Sequence, residues 1–479
     1  VALINLQELM VAAHEDLKNN RLDDCYTKVL YLLNKNPDHY FYLYLLGSYY
    51  GKIEKYGASI LAYEKAMQLY PDFSEVVNNL GGNYRKLGMQ DKAVAAFKRA
   101  IEISQTEKFK KDNGDGANKL TADYYSNLGS TYVGCNESQK AIDYFNQALA
   151  LDFNCGNARW NRGLAYLEIG NYEQGFIDYD NGERNKAKMS RNYKINADET
   201  PTWNGEKDAT VVVYGEQGIG DELMFATIIP DLVKDCKKVI YDAHPRLYKM
   251  FRESFKELGV DCYGTRKDHL LAWIKNYDID YKVPIGSLAK FYRKKAGDFP
   301  KAPYLKPFEK DLKYITDKLS ALPKKLNIGI SWKGGTQGSS KNVRCMPMEH
   351  LAKLFELDAN IISLQYHDNA LHEVDHYCES TGNTIYHWKD IVDNYELTAA
   401  LVSKLDLIIS VPQSVIHLAG VMGARAYQIC PYRYIWQMGV YGEDMPWYHS
   451  ITNIWQTEHG GWALCMDKAI NELKEEFKC

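Results

Sequence analysis

Val211–Phe225, VVVYGEQGIGDELMF, decides how this chain is read. Four residues of high strand propensity, Val211 to Tyr214, run into Gly215, Gly218 and Gly220, and then into an apolar segment that opens with Asp221 and Glu222. A strand that breaks at a glycine turn and restarts as a helix is the building block of parallel, ligand-binding sheets, because the free N–H groups of the helix start can face an anion.

Working outward, the neighbouring segments continue the alternation. ATVVVYG (209–215), KKVIYDA (237–243) and IDYKVPIG (279–286) read as strands, with FATIIPDLVKDC and PRLYKMFRESFKELG between them as helices. DLKYITDKLSALPKK is a helical crossover to a second alternating set: LNIGISW, ANIISLQY, NTIYHW, LDLIISV and RAYQICP, closed by a helix over Asp467 to Phe477. Such alternation implies parallel sheets with ligand at the carboxyl ends of the strands.

Upstream the period changes. Gly47 and Gly81 are 34 residues apart, as are Gly129 and Gly163; Tyr63 pairs with Phe97, Ala66 with Ala100 and Pro37 with Pro71 at the same spacing. In a helix-turn-helix repeat the small residue admits the second helix closely. The aromatics at Tyr50, Tyr84, Tyr132 and Tyr166, and at Tyr63, Phe97, Phe145 and Tyr179, then fill the gaps between neighbours. Five units follow, at about 6–39, 40–73, 74–107, 122–155 and 156–189. Gly81 and Gly129 lie 48 residues apart, so an insertion, SQTEKFKKDNGDGANKL, separates the third and fourth; its polar, glycine-bearing composition predicts a surface loop. Asn185 to Asp208 loses the helical period and ends in the Pro201, Trp203, Gly205 cluster. The expected organisation is repeats over 1–189, a linker over 190–208, and α/β domains over 209–325 and 326–479.

Composition limits the function classes. The 479 residues exceed what one core serves, and 46% hydrophobic with 25% charged residues is the balance of a globular protein. A formal net charge of -4 gives no global attraction to nucleic acid and leaves only a local basic groove open. Of the 37 tyrosines, those at the repeat spacing read as helix-packing positions rather than as a carbohydrate-stacking surface. The 10 cysteines contain no CxxC pair or metal-ligand spacing, which predicts free thiols in a reducing cytoplasm. VALINLQELMVAAHEDLKNN reads as an amphipathic helix rather than a signal peptide, and no run reaches membrane-spanning length.

The repeat pattern, LLGSYY…SILAYEKAMQLYP and NLGGNYRKLG…AVAAFKRA, resembles the tetratricopeptide family, which implies a groove for a protein or peptide partner. The stretch TPTWNGEKDATVVVYGEQGIGDELMF, 200–225, together with Leu405–Pro431, LDLIISVPQSVIHLAGVMGARAYQICP, resembles heptosyltransferase-like glycosyltransferases. The expected fold class is therefore α plus α/β: a tetratricopeptide superhelix followed by two Rossmann-like domains of the GT-B type. The resemblance implies transfer of a sugar from a nucleotide-diphosphate sugar, a co-substrate rather than a cofactor, to an acceptor hydroxyl without a metal. Asp221 would be the general base behind the glycine turn of Gly218 and Gly220. Lys333, Arg344, Gln365, Glu396, Thr398, Gln413, Ser414, Val415 and His417 would line the donor site, and Glu443 to Ser450 (EDMPWYHS) also matches. Pro412 and Gln413 stand where the family has Asp and Thr. That departure keeps open a second reading, a protein-binding scaffold with a transferase domain that no longer turns over, and a third in which the sugar goes to a nucleic-acid base or lipid.

Overall fold

The structure is a computed structural model that describes residues 5–182, 193, 199–215, 218–266, 271–300, 302–334, 344–433, 435–439, 442 and 444–477. Parts of the linker, Glu216 and Gln217 in the glycine turn, Gly335 and Glu443 lie outside the described residues. A helical repeat region is followed by parallel sheets and helices, and the chain divides into two compact units. The division falls inside the fifth helix pair. One unit holds Val1–Ala165 with Asn181–Arg184, and the other holds Tyr166–Asp180 with Asn185–Cys479.

The repeat helices are α1 (Leu6–Lys18), α2 (Leu22–Lys35), α3 (Tyr40–Lys52), α4 (Tyr56–Leu69), α5 (Ser74–Lys86), α6 (Gln90–Ser104), α7 (Glu107–Asn113), α8 (Ala117–Gly134), α9 (Ser138–Leu151), α10 (Gly156–Glu168) and α11 (Tyr172–Asn181). The period-34 glycines do what their spacing implies. A Cβ on Gly81 would meet the Phe97 ring at 2.9 Å, and one on Gly129 would meet Phe145 at 2.7 Å. The insertion differs from expectation, because α7 and the start of α8 occupy it. Thr106 caps α7 by accepting a hydrogen bond from the Phe109 N–H at 3.2 Å, and the Phe109 ring is buried as its anchor.

The turn inside each pair places one residue in the left-handed region: Asn20 (φ 58°), Glu54 (60°), Gly88 (75°), Asn136 (59°) and Gly170 (79°). Glycine and asparagine tolerate that conformation and glutamate does not. Glu54 is exposed, so nothing in the packing offsets its strain. Replacing it with glycine is expected to raise the unfolding free energy of the repeats by about 0.5–1 kcal/mol, measured by urea denaturation followed by circular dichroism.

In the second unit, β1 (Thr210–Tyr214), β2 (Lys238–Asp242), β3 (Asp261–Tyr263) and β4 (Tyr281–Pro284) form a parallel sheet in the order β3-β2-β1-β4. Val211, Val212 and Val213 are all fully buried, the pattern of a strand covered on both faces. Helices α12 (Ile219–Ala226), α13 (Ile229–Asp235) and α14 (Tyr248–Ser254) make its connections. After α15 (Glu309–Ser320) comes a second sheet of β5 (Leu326–Ser331), β6 (Ala359–Ser363), β7 (Ile385–Tyr386), β8 (Leu407–Ser410), β9 (Ala426–Cys430), β10 (Asp444–Met445) and β11 (Tyr448–Trp455). Its order is β10-β11-β9-β8-β5-β6-β7, parallel except for the β10 edge. Helices α16 (Ala370–Thr381), α17 (Tyr395–Val402), α18 (Ser414–Met422) and α19 (Trp462–Phe477) accompany it. The short strands β3 and β10 and the strand β11 are additions to the sequence reading.

Helix α11 packs as part of this second unit. Tyr179 lies 5.5 Å from Trp436 and 6.0 Å from Phe225, Phe176 lies 6.3 Å from both Trp436 and Trp447, and Tyr172 meets Phe299 edge-on at 4.9 Å. Asp180 fixes the end of the helix through Lys290 Nζ at 2.7 Å. Phe176→Ala is expected to cost about 3 kcal/mol in chemical denaturation, whereas Leu61→Ala, at a side chain 69% exposed on α4, should stay within about 0.5 kcal/mol of the parent.

Candidate functional site

The first turns of α12 and α18 meet at van der Waals distance. A Cβ on Gly220 would lie 2.8 Å from His417 Cδ2 and 3.4 Å from Ser414 Cα, so only glycine permits this approach of the two helix starts. A side chain on Gly334, in the loop after β5, would collide with the Pro412 carbonyl. The Gly334 N–H donates to the Arg344 carbonyl at 3.0 Å, which fixes the backbone beneath Arg344.

Of the expected residues, Gly218, Gly220, Asp221, Arg344, Ser414 and His417 are brought to this junction. Gly218 is the residue that precedes α12, so Asp221 sits in the first helical turn, with one carboxylate oxygen accepting from Gln437 Nε2 at 3.3 Å. Burial pushes the Arg344 guanidinium below its usual range; the nearby Asp221 carboxylate opposes this and Arg433 adds to it. The two guanidinium groups therefore repel across a partly desolvated space, an arrangement that an arriving anion relieves. Packing around the His417 ring, and then the Arg344 cation, lower its pKa to about 4. At neutral pH it is an uncharged imidazole, with Nδ1 3.2 Å from the Tyr448 hydroxyl. Arg344 Nε, Gln413 Oε1 and Gln437 Oε1 are buried without a hydrogen-bond partner, and buried polar atoms are rarely left so unless a ligand or water completes them.

The remaining expected donor residues are engaged elsewhere. Lys333 Nζ pairs with the Glu373 carboxylate, which also accepts from Trp332 Nε1 at 3.0 Å. Gln365 is saturated by the loop after β5: its Oε1 accepts from Ser331 Oγ at 2.7 Å, Lys333 N at 3.0 Å and Trp332 N at 3.1 Å, and its Nε2 donates to the Lys333 carbonyl at 2.9 Å. Gln413 Nε2 is held by Ser331 Oγ and Ser410 Oγ. Glu396 pairs with Lys249 Nζ at 3.0 Å, Thr398 Oγ1 donates to the Ile391 carbonyl at 2.8 Å, and Val415 is core.

Two further residues belong to the junction, Gln437 and Arg433, while Glu222, next to Asp221, faces the first sheet instead. Glu222 is fully buried, and its carboxylate occupies the space a Gly215 side chain would need. It accepts from the His244 N–H at 2.7 Å and from Arg266 Nη1 at 2.8 Å. A second acid directly after Asp221, at the start of a helix whose remaining residues are apolar or glycine, was its only sequence signal. Burial raises its pKa to about 7, against the opposing pull of the His244 N–H and Arg266. The folded state therefore binds this proton more tightly than the unfolded chain. The resulting stabilisation is complete below the ordinary carboxylate range and is lost as pH rises through about 7. Glu222→Gln removes that dependence. Relative to the parent, the variant should gain about 3 kcal/mol in unfolding free energy between pH 5 and pH 8, measured by guanidinium titrations across that range.

Comparison with known proteins places the repeats. Residues 42–73, 74–107 and 122–155 match the tetratricopeptide repeat family. These three stretches are tetratricopeptide repeats. Over 455 residues the chain is 24% identical to Protein FlbA of Caulobacter vibrioides, covering 85% of this chain and 73% of FlbA. Among solved structures it is similar to pilF of Pseudomonas aeruginosa, with 15% identity and a TM-score of 0.33 over 39% of this chain and 78% of that one. It is also similar to YrrB, described as a tetratricopeptide protein with an unusual peptide-binding site, with 15% identity and a TM-score of 0.27 over 33% of this chain and 74% of that one. Among the described residues no helix is long and apolar enough to cross a membrane.

Proposed function

We propose that the chain is a protein-directed glycosyltransferase, with repeats that bind the acceptor protein and an α/β unit that binds a nucleotide-diphosphate sugar. The observation that carries the reading is the junction of two helix starts, one behind a strand of each sheet, with Asp221 set beside Arg344. In this reading the two sheets are the mononucleotide-binding halves of a GT-B enzyme. The start of α18 and Arg344 hold the diphosphate, since free N–H groups and a guanidinium both bind phosphate oxygens. Asp221 removes the proton of the acceptor hydroxyl as that oxygen attacks the sugar carbon; the bond from that carbon to the diphosphate breaks, and the negative charge leaves with the nucleotide.

A second reading, a repeat-based scaffold whose α/β unit no longer turns over, has its own support. The family match falls on the repeats, and Gln413, at a position where a carboxylate or hydroxyl could meet the donor, is committed to Ser331 and Ser410.

Calorimetry with UDP, GDP and ADP in EDTA, followed by assays of nucleoside diphosphate release from the corresponding sugar nucleotides, separates them. The transferase reading expects one nucleotide to bind and its sugar ester to be slowly hydrolysed. Arg344→Met should weaken that binding at least tenfold, and Asp221→Asn should keep it while lowering turnover about 100-fold or more. Absence of both binding and release leaves the scaffold.

A further inference from the structure

The Trp436–Met438 turn stands apart from both strand-to-helix turns, yet it touches the side chain on which the proposed chemistry turns. It is one turn of 3-10 helix, fixed by the Met438 N–H on the Ile435 carbonyl at 2.9 Å and by Asn453 Nδ2 of β11 on the Met438 carbonyl at 3.0 Å. Trp436 packs on two helices at once: its ring lies 6.3 Å from Phe176 and 5.5 Å from Tyr179 of α11 and 6.1 Å from Phe225, four residues beyond Asp221 on α12, and Tyr179 and Phe225 also meet at 6.0 Å. The next residue, Gln437, directs its amide nitrogen at one oxygen of the Asp221 carboxylate at 3.3 Å, while its amide oxygen is buried and unpartnered.

We infer that Gln437 is the positioning residue of Asp221: its amide N–H fixes the carboxylate rotamer, and its free amide oxygen receives a hydrogen bond from the acceptor group whose hydroxyl Asp221 deprotonates. The chemistry favours an amide in this place. A lysine or arginine would hold the carboxylate equally well but would pair with it and suppress its basicity, whereas a neutral donor orients it at lower cost to proton affinity. The opposite amide orientation would set two oxygens against each other, so the carboxylate selects the one observed. An unpartnered buried carbonyl oxygen costs stability unless something completes it, and an acceptor N–H or O–H does so at the moment of binding. Because Trp436 rests on α11, the second helix of the last repeat becomes part of the frame that holds Asp221.

The role in catalysis rests on the transferase reading, but the contact can be tested without turnover. The full chain, its Gln437→Met and Gln437→Glu variants, and Asp221→Asn as a blank are treated briefly with a carbodiimide and glycine ethyl ester. Labelling at Asp221 is read by tandem mass spectrometry against the exposed Asp115, with melting curves as the fold control. Loss of the amide donor removes one hydrogen bond that orients the carboxylate, and a second carboxylate beside it favours the protonated, reactive acid, so both variants should label Asp221 at least threefold faster. Equal labelling overturns the inference whether or not the chain is active. In a chain that releases nucleoside diphosphate from a sugar nucleotide, Gln437→Met should lower kcat at least tenfold with KM for the donor within twofold, and Gln437→Glu should move the acidic limb of the pH–rate profile upward. An unchanged kcat and limb overturn the role even where labelling rises. Faster labelling in a chain that releases nothing removes the transferase reading and leaves the Gln437 contact in place.

Discussion

The second unit depends on one close approach, the start of α12 lying against the start of α18 with Gly220 and His417 in contact. Two helix N-termini carry partial positive charge and would ordinarily be kept apart or capped by anions. Here the space between them is shared with the Asp221 carboxylate, while His417 stays neutral and adds no third cation. Any side chain on Gly220 would force the turns apart and separate Asp221 from Arg344. The junction thus concentrates one carboxylate, an unsatisfied guanidinium nitrogen and two unsatisfied amide oxygens in a small volume, polar groups that a ligand or water would have to complete.

Asp221 and Glu222 show how one step along a helix divides two identical charges. Consecutive residues point about 100° apart, so Asp221 faces the junction and Glu222 faces the interior of the first sheet. The interior carboxylate is completed by the His244 N–H and Arg266, which tie the segments after β2 and β3 back to the glycine turn. Asp242 acts in parallel, accepting from Thr265 Oγ1 at 2.8 Å and from Tyr193 Oη at 2.8 Å. Two fully buried acids thus hold the strand ends of the first sheet, and neither is available to a ligand.

Features encoded by local spacing were legible in the sequence. The period-34 glycines and aromatics act between adjacent helices, so their pattern needs no tertiary knowledge, and the buried strands announce themselves as runs such as Val211 to Val213. The insertion misled because asparagine, lysine and glycine dominate it, while the two residues that make it helical, Thr106 and Phe109, are a cap and a single anchor. The strand β3 is too short to show a period. Within the site, the order of motifs pointed to Asp221, Arg344, Ser414 and His417. It gave no warning that Lys333 would be paired with Glu373, 40 residues away, or that Gln365 would be used up by a loop. Those are tertiary pairings, and a side chain's type does not disclose its partner.

The same reasoning explains why Gln437 escaped notice. A glutamine in a short turn carries no motif and no period, and its meaning comes from Trp436 beside it, whose ring has to reach α11 and α12 together. Segments that serve function through position are set by what their neighbours pack against. Here the neighbour is a helix that by spacing belongs to the repeats and by packing belongs to the sheets. A chain built this way cannot shed its last repeat helix without disturbing Phe225, and with it the helix that carries Asp221, so the boundary between the helical repeats and the sheets runs through a hydrophobic core rather than through a linker.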